Sequence, residues 1–147
     1  MSNLDAEIVL ARLRLINKYI RTLEEFSTLS LDAYLEDFRQ QLVVERLLQL
    51  MTQAAIDIND HLLSHLNPGS SNTNFEAFIE LGKYNVISSE LAKQIAPSSG
   101  LRNRLVHEYD DIEPRQVFRA INFALQQYPI YVEQINSYLI TLGDKND

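Results

Sequence analysis

The sequence predicts an all-α protein, a bundle of helices in one domain. Apolar residues recur every three or four positions through most of the chain, the spacing that places them on one face of a helix. No stretch alternates polar and apolar residues for long enough to require a β-strand. Because 147 residues suffice for one core, we expect a single domain over residues 1–147, with a flexible end at about residues 143–147.

Two helical patterns come first along the chain. Apolar residues at helical spacing define a first helix from Leu4 to Phe26. A short polar stretch follows, in which Ser30 or Asp32 is suited to cap the next helix. The second pattern runs from Leu31 to about Leu66 without Gly or Pro, which predicts either one very long helix or two helices with a bend.

A polar loop separates these helices from the rest of the chain. Residues 67–74, Asn-Pro-Gly-Ser-Ser-Asn-Thr-Asn, form the strongest concentration of turn-forming residues in the sequence. The predicted elements after this loop are helices over residues 75–81 and 86–95, a helix that opens at Leu101, and a last helix that begins at Pro114. We expect Gly82 to end the first of these helices and Pro129 to kink the last.

The composition indicates a cytoplasmic protein. The chain has no cysteine, which excludes disulfides, thiolate metal sites and cysteine nucleophiles and fits a reducing cytosol. Charged residues interrupt the N-terminal segment, so no signal peptide is expected. No stretch approaches the roughly 20 apolar residues of a membrane span, so we expect no contact with a membrane.

The charge of the chain restricts how it could bind nucleic acid. A net charge of -7 argues against nonspecific coating of RNA or DNA, which depends on Lys and Arg neutralising phosphates. Contact with a polyanion must therefore be local, and Arg102 and Arg104 provide such a place, with Arg115 and Arg119 following soon after. The four glycines are too scattered to form a phosphate-binding loop, so we expect no bound ATP and no cofactor.

Residues 101–109 carry the strongest chemical signal. They read Leu-Arg-Asn-Arg-Leu-Val-His-Glu-Tyr and place a guanidinium, an amide, an imidazole and a phenol within two helical turns. An arginine can hold a phosphate through two N–H groups, and a histidine titrates near neutral pH. The combination of Arg102 and His107 therefore suits cleavage of a phosphodiester.

Helical geometry shows how these side chains would be arranged. At about 100° per residue, Arg102, Asn103 and His107 share one broad face, while Leu101 and Leu105 lie on another side that can anchor the helix. Arg102 and His107 are too far apart around the helix to hold one atom, so the face suits an extended ligand. A two-fold dimer that brings two such faces together would form a better cleft. A solvated helix face without function would explain the same residue types, and spacing alone does not decide between them.

The same stretch, followed by Asp-Asp-Ile at residues 110–112, resembles the RNxLVHxYxxI segment of HepT-type HEPN toxins. Residues 53–62 resemble the long central helix of these toxins, and residues 81–92 resemble the segment that leads into the motif. The resemblance covers nearly the whole chain and has the same order of helices. It implies a HEPN-type bundle with a long central helix that assembles as a two-fold homodimer.

The resemblance also implies a function, that of a bacterial ribonuclease toxin in a type VII-like toxin–antitoxin pair. Arg102 and His107 would be the catalytic pair, with Asn103 in support and Arg104 in contact with the RNA. His107 would transfer the proton as a 2′-OH attacks the adjacent phosphate, and Arg102 would stabilise the charge, without a metal. The partner would be an MntA-type nucleotidyltransferase antitoxin that transfers AMP from ATP to Tyr109. Some relatives have glycine at the position of Glu108, which leaves the role of Glu108 open.

Two other functions fit the sequence. The first is a non-catalytic helical dimer that docks and assists a nucleotidyltransferase, in which Arg102 would bind the nucleotide of the partner. The second is a metal-binding bundle, because His61 and His65 lie four residues apart on the long helix. A third ligand is not evident near this pair, so we expect no metal site.

Overall fold

Helices form almost the entire fold, as the sequence predicts. The computed structural model describes the backbone of residues 4–145 and, within that range, all side chains except those of residues 109, 144 and 145. In this part of the chain the α-helices are α1 Ala6–Glu24, α2 Leu31–Glu36, α3 Phe38–Leu66, α4 Asn74–Lys83, α5 Ser89–Ile95, α6 Ser98–His107 and α7 Pro114–Lys145. A short 3₁₀ helix, Tyr109–Asp111, joins α6 to α7.

Polar side chains determine where most of these helices begin. The side chain of the capping residue accepts a hydrogen bond from a backbone N–H in the first turn of five helices, and these residues are Asp5, Ser30, Asp37, Thr73 and Ser88. Such a bond satisfies one of the N–H groups that a helix leaves without a partner at its start. Of the two caps considered for the second helix, Ser30 is the correct one, since its Oγ accepts from Ala33 N at 3.1 Å.

The long second pattern is two helices that meet at Asp37. This residue ends α2 and caps α3, with extended backbone angles of φ −118° and ψ 94°. Its Oδ1 accepts a hydrogen bond from Gln40 N at 3.1 Å, which starts α3 in a new direction. The 29 residues of α3 form the central helix of the bundle, against which α1, α4, α6 and α7 pack.

The expectation that Gly82 ends α4 is wrong. Gly82 lies within α4, and the helix ends at Lys83, followed by the capping residue Tyr84 and by Asn85 in the left-handed conformation at φ 59°. A Cβ on Gly82 would lie 2.9 Å from Ala92 Cβ and 3.4 Å from Ser89 Cα of α5. Glycine is therefore used here for close helix packing, and asparagine, which tolerates left-handed backbone, makes the turn.

One hydrophobic core runs from α1 to α7. Two tyrosines of α7 are fully buried against α3 and place their hydroxyl groups on its polar atoms. Tyr131 Oη donates to Asn59 Oδ1 at 2.6 Å, and Tyr128 Oη donates to Thr52 Oγ1 at 3.1 Å. Tyr128 Oη also lies 2.9 Å from Ser98 Oγ, so this network ties the start of α6 to α3 and α7.

The last helix passes through its internal proline, as the sequence predicts. It begins at Pro114 as predicted and continues through Pro129 to Lys145. Proline suits the first turn because the backbone N–H groups there have no hydrogen-bond partner within the helix. The predicted flexible end therefore falls partly on helical residues, while residues 146–147 lie outside the described part. None of the helices within residues 4–145 combines the length and apolar character of a membrane span.

Candidate active site

The motif helix starts earlier and ends earlier than the sequence indicates. Pro97 caps α6, and the first turn includes Ser98, Ser99 and Gly100, which were expected to precede the helix. The hydroxyls of Ser98 and Ser99 donate to the carbonyl groups three residues back, at 2.7 and 2.8 Å, and this favours a tight helical start. The helix ends at His107, because Glu108 adopts φ −133° and ψ 37°, outside the helical region.

Tyr109 therefore does not belong to the motif helix. Its backbone begins the 3₁₀ helix, so its position cannot be read from the helical spacing of Arg102 and His107. The side chain of Tyr109 lies outside the described residues, as does the predicted modification of its hydroxyl. The chain changes direction directly after His107.

The remaining motif side chains take the faces that helical spacing predicts. Leu105 is buried in the core, and Leu101 packs against the core from the same side of α6. Asn103 and His107 are exposed, and Arg102 is half-buried between the two faces. The described residues provide no hydrogen bond to the His107 imidazole and none between His107 and Arg102. The imidazole is thus accessible to a ligand.

Arg102 is held by the chain on two sides. Its Nη1 donates to Asn103 Oδ1 at 3.0 Å, and its Nη2 donates to Oε1 of Gln53 on the central helix. Its Nε is buried and has no partner among the described residues. The guanidinium has five N–H groups, so one N–H on each terminal nitrogen remains for a ligand.

The contact with Gln53 continues into a longer chain of polar groups. Gln53 Nε2 donates to Asp57 Oδ1 at 2.9 Å, one turn further along α3. Asp57 Oδ2 in turn forms a salt bridge with Arg12 Nε of α1 at 3.3 Å. Sequence reasoning did not identify Gln53 as a site residue. The sequence signal for this contact was the spacing of Gln53 and Asp57, a polar pair four residues apart on a helix whose surrounding residues are buried.

The charge of Asp57 also affects its neighbour Asp60. Burial raises the pKa of Asp60, and the nearby carboxylate of Asp57 raises this pKa further. Asp57 thus faces a cation on α1 and a carboxyl group on its own helix, while its remaining oxygen accepts from Gln53.

A cavity of about 480 Å³ lies beside α6, between α3 and α7. Arginine, glutamine, hydroxyl-bearing and apolar side chains line it, and they are Leu48, Thr52, Gln94, Pro97, Ser98, Leu101, Arg102, Arg104, Leu105, Gln116, Arg119, Ala120, Phe123, Ala124, Gln127 and Tyr128. No aspartate or glutamate is among these lining residues, and within the described chain neither Arg104 nor Arg119 forms a salt bridge. The cavity is therefore a locally cationic surface on a chain of net charge -7. Asn103 and His107 do not line it.

His61, one of the two histidines of the pair on α3, has a structural role. His61 Nε2 accepts a hydrogen bond from the backbone N–H of Asp5 at 3.0 Å, which helps to fix the start of α1. Among the side chains that the structure describes, no group of three or more His, Cys, Asp or Glu residues is arranged to hold a metal ion.

Comparison with known proteins decides the family. The model of the family described as ribonuclease HepT-like matches residues 16–135, which include the central helix and the whole motif. The chain belongs to this family. The HepT-like assignment agrees with the resemblance carried by residues 101–109 and with the order of the helices.

The proteins similar to this HepT-like chain include two relatives and a solved structure. It is 69% identical over 147 residues to the tRNA nuclease HepT of Aphanizomenon flos-aquae (strain 2012/KM1/D3), a match that covers 100% of both chains. It is 26% identical over 102 residues to the mRNA nuclease HepT of Shewanella oneidensis, covering 69% of this chain and 77% of that protein. A tri-AMPylated Shewanella oneidensis HEPN toxin, solved in complex with MNT antitoxin, has the same fold, with a TM-score of 0.78 at 23% identity over 93% of this chain and 99% of that one. The HEPN-type helical bundle predicted from the sequence is confirmed.

Proposed function

We propose that this chain is the toxin of a toxin–antitoxin pair and acts as an endoribonuclease on tRNA. The observation that carries the proposal is the 69% identity with a tRNA nuclease HepT over the full length of both chains. The more distant relative is an mRNA nuclease, so the family includes more than one RNA substrate. We choose tRNA because the identity with that relative is much higher. We accordingly propose that the protein acts in the cytoplasm, where tRNA is found.

The proposed chemistry uses Arg102 and His107. His107 takes the proton of a ribose 2′-OH, and the 2′-oxygen forms a bond to the adjacent phosphorus. The bond from phosphorus to the 5′-oxygen breaks, and the 5′-oxygen receives a proton from a protonated His107. The products are a 2′,3′-cyclic phosphate and a 5′-hydroxyl, and no metal takes part. The free N–H groups of Arg102 stabilise the charge on the non-bridging oxygens.

A homodimer completes the site in this proposal. Arg102 and His107 of one chain form no hydrogen bond with each other, and the exposed face of α6 presents Asn103 and His107 outwards. A second copy related by a two-fold axis would place two such faces around one RNA strand. Arg104 and Arg119, which line the cationic cavity with Arg102, would contact the RNA backbone beyond the scissile phosphate.

The proposed off-switch is AMPylation of Tyr109 by an MntA-type nucleotidyltransferase antitoxin. The phenol oxygen would bond to the α-phosphorus of ATP, and pyrophosphate would leave. The proposal is supported by the position of Tyr109 two residues after His107 and by the AMPylated HEPN toxin of the same fold. The added phosphate would compete with RNA for Arg102 and block the cleft.

Cleavage of tRNA by purified variants tests the nuclease. We expect the wild-type chain to cut tRNA and both Arg102→Ala and His107→Ala to lose activity by at least about 100-fold. Arg39→Ala and His65→Ala, which replace the same residue types away from α6, serve as matched controls. If His107→Ala degrades RNA as fast as wild type, a non-catalytic dimer that assists a nucleotidyltransferase becomes the better explanation.

Incubation with a cognate nucleotidyltransferase and ATP tests the switch. We expect the mass of the wild-type chain to rise by whole AMP units while its nuclease activity falls. Tyr109→Phe should gain no mass and keep its nuclease activity, whereas Tyr84→Phe, an exposed tyrosine elsewhere, should behave as wild type. Full control of Tyr109→Phe by the transferase would refute modification at this residue.

A further inference from the structure

We infer that Gln53 and Asp57 are positioning residues for Arg102 and that Arg12 supports them. This inference rests on the proposed function, because it assigns these side chains a role in the same site. Its basis is the continuous set of contacts from Arg12 on α1, through Asp57 and Gln53 on α3, to Arg102 on α6. We call this set of four side chains the arginine relay.

The direction of the Gln53 amide is the central feature of the arginine relay. Its NH₂ group donates to Asp57 and its oxygen accepts from Arg102. Only this orientation pairs a donor with the carboxylate and an acceptor with the guanidinium. With the amide reversed, the NH₂ group would face Arg102 and the oxygen would face Asp57, and both contacts would become repulsive. The charge of Asp57 therefore keeps an acceptor directed at Arg102.

Arg12 fixes the other end of the arginine relay. Its Nε contacts Asp57 Oδ2, which leaves Oδ1 for the amide of Gln53. The side chains of Arg12 and Asp57 are each 40% exposed, so this salt bridge contributes orientation more than stability. Gln53 is partly buried in the packed surface between α3 and α6, where a hydrogen bond is less exposed to competition from water.

These contacts fix the plane of the Arg102 guanidinium. Gln53 holds Nη2 and Asn103 holds Nη1, so rotation about the Nε–Cζ bond would break both contacts. A guanidinium whose orientation is fixed before binding loses no rotational freedom when the substrate arrives. Loss of Gln53 or Asp57 should therefore lower the rate of the chemical step more than it weakens RNA binding.

The first test compares single variants with a matched control. In multiple-turnover cleavage of tRNA, we expect Gln53→Ala and Asp57→Asn to lower kcat about 10- to 100-fold, with KM changed less than about threefold. Gln49→Ala replaces the same residue type one turn earlier on α3, where the described structure shows no side-chain hydrogen bond, and should keep wild-type kcat. Thermal unfolding of each variant identifies losses that come from misfolding.

The second test exchanges the two groups. Gln53→Glu combined with Asp57→Asn preserves the total charge and reverses the donor and acceptor between these positions, because the introduced amide can donate to the introduced carboxylate. The carboxylate still offers an oxygen to Arg102. We expect the double variant to recover at least about tenfold in kcat over Asp57→Asn alone, a recovery that a purely structural role for either residue does not predict.

The third test observes Arg102 without an activity assay. A guanidinium with slow rotation about Nε–Cζ gives separate ¹⁵N signals for Nη1 and Nη2, and Arg102→Lys identifies these signals by their loss. We expect separate signals in wild type and Gln49→Ala and merged signals in Gln53→Ala.

The outcomes separate failure of the arginine relay from failure of the proposed function. If wild type cleaves RNA and Gln53→Ala matches Gln49→Ala, or if the double variant does not recover, the arginine relay is refuted. If wild type cleaves no RNA, the proposed function fails, and the NMR signals alone decide the arginine relay. Unchanged Arg102 signals in Gln53→Ala would then refute it.

Discussion

The hydroxyl group of Tyr128 lies 2.9 Å from Ser98 Oγ and joins the last helix to the first turn of the motif helix. Tyr128 also donates to Thr52 on the central helix, and its ring is buried with 1% of its surface exposed. Burial raises the pKa of Tyr128 to about 12, although its hydrogen bonds with Ser98 and Thr52 act in the opposite direction. The position of the motif helix thus depends on a tyrosine that must stay protonated.

This dependence predicts a loss of stability at alkaline pH. Because the pKa of Tyr128 is near 10 in the unfolded chain and about 12 in the fold, its contribution is fully present below pH 10 and is lost as the pH rises towards 12. The free energy of unfolding should decrease by about 1.4 kcal/mol per pH unit for each such tyrosine. Urea unfolding at a series of pH values measures the decrease.

Tyr128→Phe should change both the level and the slope of this profile. We expect it to lower stability at neutral pH by about 1–2 kcal/mol, because Thr52 loses a partner, and to make the alkaline decrease shallower. The exposed Tyr84→Phe should follow the wild-type curve. An alkaline slope equal to that of wild type would show that Tyr128 does not titrate in the expected range.

Gly82 is predicted to be intolerant of a side chain. In Gly82→Ala, the new methyl group would lie 2.9 Å from Ala92 Cβ, so α4 and α5 must separate. We expect a loss of about 1–3 kcal/mol in the free energy of unfolding, from denaturant titration. Gly100→Ala is the matched control, because Gly100 is also helical but has nothing within 4 Å of its Cβ position, and stability there should stay equal or rise by up to about 1 kcal/mol. Equal effects at both glycines would mean that close packing is not the reason for Gly82.

The sequence predicted those features that depend on local chemistry. Ser30 and Pro114 begin helices where their residue types favour it, and Leu105 lies on the buried face of its helix. It misplaced Gly82 because a glycine that ends a helix and a glycine that lets two helices touch look the same in one chain. It placed Tyr109 on a helix because no residue type between His107 and Tyr109 requires the helix to stop.

The residues of the candidate site also differ in whether the local sequence predicts them. Arg102, Asn103 and His107 were found because they lie together in the sequence, and their faces on α6 are those expected. Gln53 lies 49 positions from Arg102, so their contact exists only once α3 and α6 have packed. Contacts between distant segments of this kind require the three-dimensional arrangement.

The cationic cavity predicts how RNA binding depends on salt. Arg104→Ala and Arg119→Ala should each weaken RNA binding and reduce the slope of log K against log salt by about 1, because each removes about one phosphate contact. Fluorescence anisotropy with a labelled tRNA, using the inactive His107→Ala background, measures both quantities. The exposed Arg39→Ala, outside the cavity, should leave the slope unchanged. If Arg119→Ala has the slope of Arg39→Ala, the cavity does not bind the RNA backbone, and burial of this surface in the homodimer should then be tested by cross-linking.

Attack by a ribose hydroxyl predicts a strict dependence on the 2′-oxygen. Once the cleavage site in tRNA is mapped, a substrate with a single 2′-deoxy nucleotide on the 5′ side of the scissile phosphate should remain uncut, since the nucleophile that His107 would deprotonate is missing. A deoxy substitution two nucleotides away should be cut at nearly the normal rate, and the products of natural tRNA should carry a 2′,3′-cyclic phosphate by mass spectrometry. Because the proposed proton transfer uses His107 and no metal, EDTA should leave the rate unchanged. Cleavage at the deoxy position would show that water, and not the neighbouring ribose, attacks the phosphate.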